Sequence, residues 1–170
     1  MKILGFSLTS YESGIALMED KKIFLADPIN TARNISYIGR LKNIFFQSRR
    51  MIWEYAPDFI AIKQEVLHGH PGTTMKNARI LGLILAASWC SRNKPKVIEV
   101  SSAATNQVCG LHAFTKLTTV REKVSAAIQK MYPEVQITSY RQAEAVAVCI
   151  ASKWRIELWE KQKIKSRNQP

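Results

Sequence analysis

Residues Asp58 to Glu65 read Asp-Phe-Ile-Ala-Ile-Lys-Gln-Glu. The run is short and apolar. Pro57 precedes it and the loop His68-Gly69-His70-Pro71-Gly72 follows it. That is the profile of a buried strand. Side chains alternate along a strand, so Ala61, Lys63 and Glu65 share one face. Unpaired charge is costly to bury. Lys63 and Glu65 therefore either reach solvent at the strand's end or meet partners.

Upstream, Ile38, Leu41, Phe45, Ser48, Ile52 and Tyr55 step by three and four. This spacing predicts an amphipathic helix ended by Pro57, with Arg40, Lys42, Arg49 and Arg50 on its other face. Before it, Lys2 to Leu8, Ile15 to Met18 and Lys22 to Ala26 predict an antiparallel meander of three strands. Asp27 to Asn34 reads as a loop. Downstream, Thr73 or Thr74 caps a helix that runs to about Arg92. Its apolar residues, Ile80, Leu81, Leu83, Ile84, Leu85 and Trp89, cover more than one side. One side packs on the sheet; the rest either completes the chain's own core or forms a dimer contact. Lys96 to Val100 is a fifth strand, and Ser101 to about Cys109 a short helix. Thr118 caps a helix through Met131, ended by Pro133. The last helix begins near Tyr140 and runs to about Gln162, with Ala147, Ile150, Trp154 and Leu158 on one face. The order predicts an α/β domain: a mixed five-stranded sheet with a three-strand antiparallel meander, flanked by helices. Residues 1–162 form one domain, and 163–170 a basic, frayed tail.

A chain of 170 residues, 46% hydrophobic, is long enough for one full core. Its 25 Lys and Arg outnumber 13 Asp and Glu, a net charge of +12. That balance favours nucleic acid, an anionic membrane or an acidic protein as partner, and nucleic acid first for a compact domain. The most apolar run, Ile80 to Cys90, is too short to span a membrane and is flanked by Arg79 and Arg92. No secretory leader pattern opens the chain. Cys90, Cys109 and Cys149 are odd in number and sit in apolar helical contexts, so they read as reduced core residues. His68 and His70 lack a third ligand at a telling spacing and read as a polar loop. No Ser or Cys nucleophile has a supporting His and acid. No Gly-rich loop is present to cradle a phosphate.

Six short segments, in order, resemble one family. They are Ile3-Leu4-Gly5-Phe6 with Ser13-Gly14-Ile15-Ala16; Pro57 to Ile62; Met75-Lys76; Leu81-Gly82 with its Ala-rich helix; Gln107-Val108-Cys109-Gly110 leading to Lys116; and Glu144-Ala145-Val146-Ala147-Val148. The chain resembles the RuvC-type Holliday-junction resolvases over nearly its whole length. The resemblance implies an RNase H-like fold. It also implies DNA cleavage by four carboxylates around divalent metal: one on the first strand, one at the end of the central strand, two on the last helix. Such chemistry needs several anionic oxygens to hold the metal. At the matching places this chain has Ser7, Lys63, Arg141 and Glu144. Counting unit charges, the site changes from about −4 to about +1.

The reading that follows is a RuvC-like protein that binds branched or distorted DNA through backbone phosphates without cleaving it, in need of no cofactor. The candidate binding residues are Lys63, His68, His70, Lys76, Arg79, Lys116, Arg121 and Arg141. Two alternatives stand beside it. One is an active, Mg²⁺-dependent, structure-selective endonuclease in which Glu65 serves with Glu144. The other is a structural subunit of a larger nucleoprotein complex. The resemblance further implies a homodimer through residues 75–92. The expected location is the cytoplasm, at the nucleoid or another DNA-containing compartment, with no membrane partner. No divalent ion is expected among Ser7, Lys63, Arg141 and Glu144. Instead Glu144 is expected to pair with Lys63, Arg141 or both.

Overall fold

The computed structural model describes residues 1–9, 11–64, 71–111 and 117–167. Its elements are β1 (Lys2–Ser7), β2 (Glu12–Glu19), β3 (Lys22–Leu25), β4 (Ile29–Asn30), α1 (Tyr37–Tyr55), β5 (Phe59–Gln64), α2 (Pro71–Trp89), β6 (Lys96–Ser101), α3 (Ser102–Val108), α4 (Leu117–Met131) and α5 (Tyr140–Arg167). The sheet order is β3-β2-β1-β5-β6. The meander β1–β2–β3 is antiparallel, while β1, β5 and β6 run parallel. This is the mixed α/β sheet that the periodicity predicts. One strand is additional. Within the expected loop 27–34, β4 pairs with the start of β2, Glu12 opposite Asn30 and Ser13 opposite Ile29. Burial of Ile29 holds the backbone there, and a two-residue strand leaves no periodic signal.

Side chains alternate across the sheet into two cores. Leu4, Phe6, Ile15, Leu17, Ile60 and Ile62 face α1 and α2, meeting Ile44, Ile52, Ile80 and Ile84. Ile3, Ala16, Met18, Ala61, Ile98 and Val100 face the other helices, meeting Val124, Ile128, Val146 and Cys149. Three layers result, helices on both faces of one sheet.

Serines start three of the helices. Ser36 Oγ accepts the Gly39 N–H at 3.1 Å and Ser101 Oγ accepts the Ala104 N–H at 3.2 Å. At α5, Ser139 Oγ accepts the Gln142 N–H at 3.3 Å, and the Gln142 side chain accepts the Thr138 N–H at 3.0 Å. The Ser139 hydroxyl thus satisfies a backbone donor that the first turn leaves free, and the Gln142 side chain ties down the residue before the cap. The threonine caps expected at 73, 74 and 118 are corrected. Both helices begin earlier, so those residues lie inside the first turn. Pro71 opens α2, a position where its missing N–H costs nothing.

Two predicted core faces also shift. Ile38 is exposed, and Ile44 takes the buried place on α1 with Ser48 and Ile52. On α5, Ala143 to Ile150 is buried without a break, but Trp154 and Leu158 are exposed. The core face there runs through Ile156, 3% exposed, which turns Trp154 and Leu158 outward, and the helix continues through 163–167, where a frayed tail was expected. Cys149 is buried and Cys109 half-buried, and burial pushes their thiols up to about 12 and about 11. Cys90 is exposed, because α2 ends one residue before it. Among the described residues no helix is long and apolar enough to cross a membrane.

Two glycines set how closely α5 lies on the sheet. A Cβ at Gly14 would fall 1.9 Å from the Arg141 carbonyl oxygen. One at Gly5 would fall 2.4 Å from Cys149 Sγ and 2.7 Å from the Ala145 carbonyl. Only with hydrogen at both places does the first turn of α5 rest over the end of β1.

Candidate functional site

The parallel register aligns Phe6 of β1 with Ile62 of β5. The next residues, Ser7 at the end of β1 and Lys63 one residue before the end of β5, therefore stand side by side. By alternation they share the face of Ile3 and Ala61, toward α5. On α5, helical spacing brings Tyr140 and Arg141 beside Glu144, four and three residues on. These five side chains meet. Glu144 is only 1% exposed. Lys63 Nζ and Tyr140 Oη each donate to its Oε1 at 2.6 Å. Arg141 Nη1 donates to Oε2 at 2.8 Å, and the Ser7 hydroxyl donates to the same oxygen. Arg141 Nη1 also reaches Ser7 Oγ at 3.4 Å.

Burial is the largest influence on Glu144 and opposes its charge. The Lys63 charge and the hydrogen bonds from Lys63, Ser7 and Tyr140 together outweigh it, and hold the pKa at about 2, down from 4.5. The Tyr140 phenol moves the other way. Burial pushes it well above its ordinary value, and the Glu144 charge pushes it further. The carboxylate therefore stays ionised between two cations.

Divalent metal of the kind the resemblance implies does not fit these residues. Mg²⁺ binds through anionic oxygens and keeps near-octahedral geometry. Among the described residues here the carboxylate is that of Glu144, each of its oxygens already takes two donors, and Lys63 and Arg141 stand at 2.6 and 2.8 Å. Among the described residues no group of three or more His, Cys, Asp or Glu gathers anywhere.

Three further candidates lie among the described residues, on α2 and α4. Arg121 of α4 is exposed, and its guanidinium lies 5.7 Å from the Tyr140 ring, with that of Arg141 at 5.5 Å. Lys76 and Arg79 are exposed on α2. Arg79 lies 5.9 Å from the Tyr37 ring, and Arg40 lies 4.6 Å from Tyr11 and 5.7 Å from Tyr37. Glu65, His68, His70 and Lys116 lie outside the described residues. Sequence reasoning missed Tyr140 as a partner of Glu144; its place four residues earlier on one helix is the signal that reveals it. It also missed the stacking of Arg40 between Tyr11 and Tyr37, for which no local pattern exists.

A mixed sheet with this order and helices on both faces is the RNase H-like fold. Within that class the fold is that of the RuvC-type Holliday-junction resolvases. Residues 1–170 match no protein-family model and no curated protein sequence. Solved structures do match. RuvC of T. thermophilus in complex with a Holliday junction substrate superposes with a TM-score of 0.78 at 15% identity, covering 93% of this chain and 96% of that one. The fowlpox virus resolvase in complex with substrate Holliday junction DNA gives 0.62 at 11% identity, covering 92% and 99%. The yeast mitochondrial Holliday junction resolvase gives 0.60 at 11%, covering 98% and 84%.

Proposed function

We propose that this is a RuvC-like nucleic-acid-binding protein that binds branched or distorted DNA through its phosphates and does not cleave it. One observation carries the second half. Glu144, at a place where the resemblance calls for a metal ligand, is closed off by Ser7, Lys63, Tyr140 and Arg141. The fold shared with resolvases solved on Holliday junctions supports the first half, as does the net charge of +12. Lys63 and Arg141 outnumber the one carboxylate between them, so the cluster keeps a positive charge to offer a phosphate without any metal. Lys76, Arg79 and Arg121 extend that charge, and His68, His70 and Lys116 complete the proposed contact set.

The test is binding and cleavage on a four-way junction and on linear duplex of equal length, with Mg²⁺ and with Mn²⁺. Preference for the junction without cleavage is the expected result. Metal-dependent cleavage lost in Glu65→Gln would replace the proposal with the nuclease reading. Equal affinity for both DNAs at physiological ionic strength would remove the junction claim.

The protein is further proposed to pair with a second copy through α2. Met75, Arg79, Gly82 and Trp89 are exposed along one stripe of that helix while Ile80, Ile84 and Ala87 are buried. Gly82 faces open space, which lets another helix approach closely.

A further inference from the structure

On α1, the face turned from the core is not merely a solvated polar face. Ile38, Lys42, Phe46, Arg50 and Trp53 follow one another by three and four residues and, with Arg49 beside Arg50, form one exposed stripe. Phe46 is 59% exposed and Trp53 67%. Between this stripe and the chain just beyond α2 lies a cleft of about 500 Å³, lined by Phe46, Arg49, Arg50, Trp53 and, from the far wall, Cys90, Ser91 and Arg92. No acid lines it. The neighbouring Glu54 is taken by Arg50 at 2.7 Å. Two bare aromatic rings framed by three arginines are costly to leave in water. Trp, Phe and Arg are also the residue types enriched at the centres of protein interfaces, where Lys is depleted.

We infer that this face of α1, with the end of α2, docks an acidic amphipathic helix from a protein partner. Charge complementarity selects that occupant. A second copy would set Arg49, Arg50 and Arg92 against the same charges in a two-fold contact. Nucleic acid held at the Glu144 cluster is remote from this cleft. The cluster lies on the α5 side where β1 and β5 end. The cleft lies on the α1 side, where Trp53 and Arg92 lead into β5 and β6. The stripe from Ile38 to Trp53 is about 22 Å long at 1.5 Å per residue, room for a helix of about four turns. Such a helix would lay apolar side chains on Phe46 and Trp53 and carboxylates on the arginines. The inference stands apart from the DNA-binding proposal.

The probe is a fluorescein-labelled synthetic helix of about four turns, with Leu and Phe on one face and Glu beside them. Fluorescence anisotropy with the full chain reads its binding. Saturable binding is expected, weakened at least ~10-fold by Trp53→Ala and by Arg49→Glu with Arg92→Glu, while four-way-junction affinity in Trp53→Ala is unchanged. Binding should also slow alkylation of Cys90 by iodoacetamide, and a peptide with Lys in place of Glu should do neither. Circular dichroism confirms that the variants fold. No saturation at about 100 µM overturns the inference, as does binding indifferent to both variants. Protection of Cys90 by an oligo-dT strand but not by the peptide makes the cleft a nucleic-acid subsite. Protection that grows with protein concentration alone makes it a self-contact. Either outcome also overturns it.

Discussion

Glu144 offers two oxygens to four donors, and each donor depends on it. Lys63 and Arg141 side chains are only 18% and 24% exposed, so water replaces the carboxylate poorly. Removing it leaves two cations facing one another, the costly half of a broken buried pair. Glu144→Ala is therefore expected to destabilise the fold by about 1–4 kcal/mol, read as the denaturation midpoint in urea; an unchanged midpoint would count against the cluster as a structural tie. The same carboxylate predicts an acid limit. Its folded pKa, about 2, lies below its ordinary 4.5. The stabilisation is thus fully present above pH 4.5 and is lost as pH falls through about 2. That interval corresponds to about 3 kcal/mol. Stability measured from pH 5 to 2 should fall more steeply in the wild type than in Glu144→Gln, which has no such charge to lose.

The approach of α5 to β1 and β2 makes the cluster possible. Gly14→Ala places a methyl group 1.9 Å from a backbone oxygen of Arg141, and backbone yields less readily than a side-chain tip. Overpacking costs about 1–3 kcal/mol in well-packed cores, and this change is expected at or above the top of that range. Hydrogen exchange should show the first turn of α5 losing protection ahead of α1, since Arg141 and Glu144 move with that turn. On α2 the opposite substitution is informative. Gly82 has nothing within 4 Å of an added Cβ, and arginine is favoured over glycine in a helix by roughly 0.5–1 kcal/mol. Gly82→Arg is expected to leave the monomer as stable or more so while abolishing dimerisation, measured by sedimentation at micromolar concentration. A monomeric wild type would refute the α2 contact outright.

The whole molecule carries 25 cations against 13 acids, more than solubility of a domain this size requires. Binding to phosphates releases counterions, so affinity for DNA should fall linearly on a log–log plot against salt, with a slope that counts contacts. Charge reversal at Arg121 with Lys76, two of the proposed phosphate contacts, is expected to reduce that slope by about 2. The same reversal at Arg49 with Arg92, in the cleft at the opposite end, should reduce it little. Equal losses from both pairs would mean a surface that attracts any polyanion without a preferred face.

The residue order alone established the succession of strands and helices, because apolar spacing reports which face of each element is buried. It also carries the proposed loss of acids. Ser7, Lys63 and Arg141 stand where the resemblance calls for carboxylates, and residue identity needs no coordinates. Tertiary structure decided the rest. Ser7 and Lys63 are 137 and 81 residues from Glu144; all three meet because β1 and β5 pair in one register and because Gly5 and Gly14 let α5 settle against them. The exposure of Ile38, the outward turn of Trp154 and Leu158 and the pairing of β4 were likewise decided by how neighbouring elements pack. Periodicity identifies a face that is able to be buried. Whether it is buried, and which charges meet across it, depends on contacts between segments distant in the chain, and no local pattern encodes their distance of approach.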